Sequence, residues 1–117
     1  MDAPTHITYH KIAHTLELQW DQERYELPAE LLRVYSPSAE VRGHSPDQRT
    51  LQTGKKNVGI NLIEPVGNYA IRIGFDDGHG SGIFGWAYLH ELGSQQERFW
   101  QEYLQELKQA NASRLPN

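Results

Sequence analysis

Alternation of apolar and polar residues marks the N-terminal part of the chain. Ile12, His14, Leu16, Leu18 and Trp20 are interleaved with Ala13, Thr15, Glu17, Gln19 and Asp21. That period of two predicts a half-buried strand. Ile7 and Tyr9 alternate in the opposite phase, so an earlier short strand turns near His10 and Lys11. Asp21 to Arg24 reads as a tight turn before a third short strand, Tyr25-Glu26-Leu27. Pro28 suits the first turn of a helix, where its missing N–H is not needed, and Ala29 to Tyr35 continue that helix until Ser36 precedes Pro37.

Residues 38 to 57 are rich in Gly, Ser, Pro and charge and predict a long surface loop with one helical turn around Ala39-Glu40-Val41. A second strand system follows. Val58, Ile60 and Leu62 alternate, Pro65 to Asn68 turn the chain, and Tyr69, Ile71, Ile73 and Phe75 alternate again. Residues 76 to 80 make the next turn, and 81 to 84 are extended. Trp86 to Leu92 form a short helix closed by Gly93. Ser94-Gln95-Gln96-Glu97 has capping-box spacing and starts a last helix, whose stripe is Phe99, Trp100, Tyr103, Leu104 and Leu107. Residues after Lys108 lose this pattern and are expected to fray. The predicted fold is α+β: a small, mostly antiparallel β domain over residues 1–110, with short helices, a C-terminal amphipathic helix and a tail at 111–117.

Composition narrows the function classes. A chain of 117 residues supports one core. Its 38% hydrophobic and 22% charged content suits a folded soluble domain. No apolar run is long enough to span a bilayer and no basic–apolar leader is present, so a cytoplasmic location without membrane association is expected. There is no cysteine, which removes disulfides, thiolate metal sites and thiol nucleophiles. A net charge of −4 disfavours nucleic acid as partner. The basic run through Arg33, Arg42, Arg49, Lys55 and Lys56 is read as a solvated loop.

Chemistry concentrates between Phe75 and Gly82, where Asp76, Asp77 and His79 share one turn with three glycines. Carboxylates and an imidazole so close together suit metal ligation or acid–base work. The same residues also suit a plain turn, since Asp accepts neighbouring N–H groups and Gly takes positive φ. His6, His10 and His14 recur every four residues, but the strand break among them argues for unrelated surface histidines. His44 and His90 read as isolated packing or surface residues. No phosphate-cradling loop, nucleophile elbow or zinc-protease helix occurs.

Three stretches resemble a known family: the run from Leu27 to Val41, Pro65-Val66-Gly67-Asn68-Tyr69-Ala70, and Asp77-Gly78-His79. Together they are similar to a domain of unknown function that resembles the N-terminal domain of gamma-butyrobetaine hydroxylase, over residues 5 to 93. The resemblance implies a compact, mostly β domain with short helices. In the hydroxylases this domain precedes a separate oxygenase jelly roll, which holds the catalytic iron. It binds zinc through three cysteines and the histidine of the Asp-Gly-His turn. Those cysteine positions correspond here to Ser36, Ser38 and Val41, while His79 is kept. Similar domains are appended to Mrp-type ATPases that carry iron–sulfur clusters.

The expectation is a stand-alone, non-catalytic module lacking the oxygenase half, which recognises a protein partner or dimerises. Trp86, Tyr88, Phe99, Trp100 and Tyr103 are its expected anchors, since aromatics dominate interface hot spots. No cofactor is expected. The alternative is an accessory protein of iron or iron–sulfur metabolism in which His79, with Asp77, Asp76 or His44, holds zinc or iron. A small hydrolase-like activity at His79 and Asp77 is a third reading.

Overall fold

Leu16 and Leu18 point to the same side of a strand, and Leu27 on the neighbouring strand faces them in register. Their burial pins a meander of three antiparallel strands: β1 (His6–His10), β2 (Thr15–Gln19) and β3 (Arg24–Pro28). The computed structural model describes residues 1–43 and 48–116. A second antiparallel meander comprises β4 (Ile60–Val66), β5 (Ala70–Phe75) and β6 (Gly82–Gly85), with β5 central. Ile71, Ile73 and Phe75 on β5 and Phe84 on β6 turn inward and join the core built on Leu16, Leu18 and Leu27. The fold is thus α+β, with two three-stranded sheets and four α-helices among the described residues.

Pro28 ends β3 and caps α1 (Ala29–Val34), every residue of which is buried. The expected helical turn is α2 (Ala39–Arg42). α3 (Trp86–Ser94) follows β6 directly and is followed by α4 (Gln96–Gln109). Of the helices, α1 and α3 pack against β3, α3 also against β6, and α4 against α3. Among the described residues no helix is long and apolar enough to cross a membrane.

Several local readings are corrected. Ile12 and His14 lie in the turn between β1 and β2, with Ile12 fully exposed and His14 at φ 56°, so the predicted alternation begins three residues before the strand. A register shift between Ile60 and Leu62 moves Leu62 to the outer face and brings Ile63 inward, because one extra residue reverses every side chain after it. Tyr69 belongs to the turn before β5 and is exposed. Gly93 does not close α3. It lies inside the helix, packed against the Tyr25 ring. The capping box does not form either: the Ser94 hydroxyl donates to Glu91 O, back into α3.

The tail differs most from expectation. The N–H of Gly54 donates to Ser113 O and that of Lys56 to Arg114 O, while Arg114 makes two bonds of 2.7 and 2.8 Å to the buried carboxylate of Glu30. Periodicity ends near Lys108 because the chain leaves the helix, yet backbone pairing and this ion pair hold residues 113 and 114 in place. Arg114→Ala should therefore cost about 3 kcal/mol in urea unfolding, because it strands a buried charge. Adding Glu30→Gln to Arg114→Ala should recover part of that loss.

Candidate functional site

The turn from β5 to β6 is built as a hydrogen-bonded loop. Gly78 N–H donates to Phe75 O, Phe75 N–H donates to His79 O, and Gly78 sits at φ 90°. Asp77 anchors it. One carboxylate oxygen accepts the His79 N–H at 3.2 Å, and the other accepts Arg33 Nε at 2.8 Å and Lys55 Nζ at 2.6 Å. Arg33 is buried on α1, and its Nη1 has no hydrogen-bond partner among the described residues. Asp76 points elsewhere: it is exposed, and its N–H bonds Gly59 O.

The turn delivers the His79 ring into the junction between α1 and α2. Its Nε2 lies 2.9 Å from Ser36 Oγ and 3.2 Å from Ser38 Oγ, and its Nδ1 lies 3.2 Å from a Glu40 carboxylate oxygen. A carboxylate only accepts, so Nδ1 carries the proton and Nε2 accepts from the two hydroxyls. The Ser38 N–H in turn donates to Ser36 Oγ at 3.4 Å, and the Ser81 hydroxyl holds the second Glu40 oxygen. Ser36, Ser38, His79 and Val41 are all buried. β6 lies so close that a Cβ at Gly82 would collide with Ser36 Oγ.

The hydroxyl–imidazole–carboxylate order resembles a nucleophile relay. Here, however, Ser36 is fully buried and the Gly82 backbone packs against its oxygen, so no carbonyl reaches it. The zinc set implied by the resemblance does not fit these residues. Ser36 and Ser38 offer neutral hydroxyls, Val41 offers no donor, and the Nε2 lone pair that would bind an ion already accepts two hydrogen bonds. Asp77 is committed to two cations, Asp76 is remote from the ring, and His44 lies outside the described residues. Among the described residues, three ligating side chains come within 4.8 Å of one another only at His10, Glu17 and Glu26. There the Arg24 guanidinium spans both glutamates, at 2.7 to 3.1 Å.

The aromatic anchors separate into two groups. Trp86 and Tyr103 are core residues, with Trp86 Nε1–H donating to Asn68 O and the Tyr103 hydroxyl to Gln52 O. Neither is available to a partner. Tyr88, Phe99 and Trp100 are half-buried at the surface. Helical spacing marked the stripe correctly as apolar, but it does not say which of its members the core covers. Glu40 was not singled out as a site residue, and the reading of Arg33 and Lys55 as part of a solvated basic loop is corrected: Arg33 is buried on α1, and both end on Asp77, because these links are purely tertiary.

Electrostatics follow from this packing. Burial and the nearby Arg33 charge lower the His79 pKa, with Glu40 and Asp77 opposing. Burial acts to raise the Asp77 carboxyl, but the bonds from Lys55, Arg33 and the His79 N–H outweigh it and hold the group at about 2. Both groups bind protons more weakly folded than unfolded, so both stabilise at high pH and lose that contribution as pH falls. Stability should begin to fall below the ordinary His value of 6.5, and fall again between 3.8 and about 2. His79→Gln should flatten the first limb. Asp77→Asn should remove the second and, with solvent screening of this partly exposed group discounted, cost about 1 kcal/mol at neutral pH, read from urea titrations across pH.

A family model described as gamma-butyrobetaine hydroxylase-like, N-terminal, matches residues 7–90. No curated protein matches the chain. Two solution NMR structures are similar. One is 50% identical with a TM-score of 0.87, covering 100% of this chain and 93% of that one. The other is 46% identical with a TM-score of 0.84, covering 99% and 87%. A crystal structure of a protein with unknown function of the DUF971 family, from Acidithiobacillus ferrooxidans, is 37% identical with a TM-score of 0.64, covering 76% of this chain and 90% of that one. The chain belongs to the gamma-butyrobetaine hydroxylase-like N-terminal domain family.

Proposed function

We propose that this chain is a non-catalytic module that recognises a protein, and that the contact is made by the outer face of the second sheet. The observation that carries this reading is a pair of apolar side chains left uncovered there. Leu62 and Ile83 are 38% and 48% exposed. Leu62 on β4 stands opposite Gly74, and Ile83 on β6 opposite Arg72, so both share the face away from Ile73 and Phe84. An antiparallel sheet commonly turns a polar face to water, and clustered apolar exposure marks an interaction surface. Arg72 and Glu64 pair on the same face and give it a polar element that sets register.

A metal-loaded accessory role has less support. His79 spends its lone pair on Ser36 and Ser38, and the cationic Arg33 acts on the same ring. A hydrolytic role would need Ser36 to be reachable.

Two measurements separate these readings. Size-exclusion chromatography with light scattering, and affinity capture from lysate, should show a dimer or a retained protein for the native chain. The Leu62→Glu, Ile83→Glu double variant should lose it while its melting point changes little, because exposed substitutions seldom cost more than about 0.5 kcal/mol. A strict monomer that retains nothing removes the recognition reading. Protein purified without a polyhistidine tag should carry little metal and melt alike with or without chelator. Stoichiometric metal and a chelator-sensitive melting point would replace the module with a metalloprotein.

A further inference from the structure

α4 ends in a left-handed turn that folds the chain back on itself. Asn111 sits at φ 52°, and the N–H groups of Ala110, Asn111 and Ala112 donate to the carbonyls of Glu106, Lys108 and Leu107. The tail then pairs with the backbone of Gly54 and Lys56, and a groove of about 370 Å³ lies between it and the last turns of α4. Leu104, Leu107 and Leu115 make its wall apolar, with Leu115 60% exposed. Lys56, Lys108 and Arg114 also line it, and among the described residues no acid does.

The three cations are not equivalent. Arg114 is already committed, with two bonds to Glu30 and its guanidinium 4.8 Å from the centre of the Trp100 ring. Lys56 and Lys108 are exposed, and neither ammonium group has a hydrogen-bond or ion-pair partner among the described residues. The carbonyls at the end of α4 that could take them are paired with backbone N–H groups instead. On a chain of net charge −4, an apolar groove with two unpaired cations and no acid is a local reversal of sign.

A ligand for this groove has to match both features. A small hydrophilic anion would leave the leucines wet, and a neutral apolar molecule would leave the ammonium groups unused. A folded partner needs about 800 Å² of matching surface on each side, whereas the groove falls in the roughly 300–1,000 Å³ range of small-molecule sites. An alkyl chain with one anionic end satisfies size, apolarity and charge together.

We propose that this groove binds a free medium-chain alkyl carboxylate, its chain along Leu104, Leu107 and Leu115 and its head held by Lys56 and Lys108. The site shares no residue with the outer face of the second sheet, and it stands whether or not a protein docks there.

NMR titration of the intact, isotope-labelled chain with sodium decanoate, kept below micelle-forming concentrations, tests the assignment. Decanoate should shift the amides between Leu104 and Leu115 saturably. Octanoate should bind roughly fivefold more weakly, since the open groove covers only part of each methylene. Decanol should bind about tenfold more weakly than decanoate, and decyltrimethylammonium more weakly still. The Lys56→Gln, Lys108→Gln double variant changes only exposed positions. It should lose about tenfold in decanoate affinity and nothing for decanol. Leu115→Ser should weaken both. The proposal is overturned if decanoate gives no saturable shifts, if decanol binds as tightly, or if the double variant binds decanoate unchanged. It is also overturned if the shifts fall at Leu62 and Ile83 instead. Anionic phospholipid vesicles that hold the chain more tightly than free decanoate does would replace the free acid with a membrane surface.

Discussion

The imidazole of His79 joins the two halves of this molecule. It arrives on the turn between β5 and β6 and ends between the hydroxyls of Ser36 and Ser38, which follow α1 from the other sheet. Hydrogen bonds in such a dry place are stronger than at the surface, and leaving any of them unmade is correspondingly costly. Asp77 adds a second tie between the same parts, since Arg33 on α1 and Lys55 before β4 both end on its carboxylate. The turn is thereby fixed from both of its polar ends. The close approach of Gly82 to Ser36 depends on that placement.

This arrangement explains how a chain without cysteine keeps a junction that the family resemblance associates with zinc. Two hydroxyls and a carboxylate satisfy the imidazole. This has chemical consequences. A neutral, fully bonded imidazole in a closed pocket is a poor ligand and a poor base. The apolar side chains left uncovered lie elsewhere, among them Leu62 and Ile83 on the outer face of the second sheet.

Much of the fold was legible along the chain. The alternations at Leu16, Leu18 and at Ile71, Ile73, Phe75 identified β2 and β5, because burial on one face imposes a period of two. Pro28 and the run after it marked α1. Boundaries failed where a local event breaks the period: the turn at Ile12, the bulge before Leu62, and Gly93 inside a helix. Of the candidate site, the Asp77-Gly78-His79 turn was recognisable from composition, and Ser36, Ser38 and Val41 from the resemblance. Glu40, Arg33 and Lys55 carry no local mark.

By itself the amino-acid order determined the strands, most of the helices and the amphipathic stripe ending in Leu107, because these follow from periodic burial and local backbone preference. Only the tertiary structure decided that Trp86 and Tyr103 are core while Tyr69 and Ile83 face water, and that Arg114 reaches back to Glu30. It alone decided that a histidine at position 79 closes upon serines at 36 and 38. Contacts between residues so distant along the chain are set by how the sheets and helices pack, and that packing leaves no short-range signature in the residues it brings together.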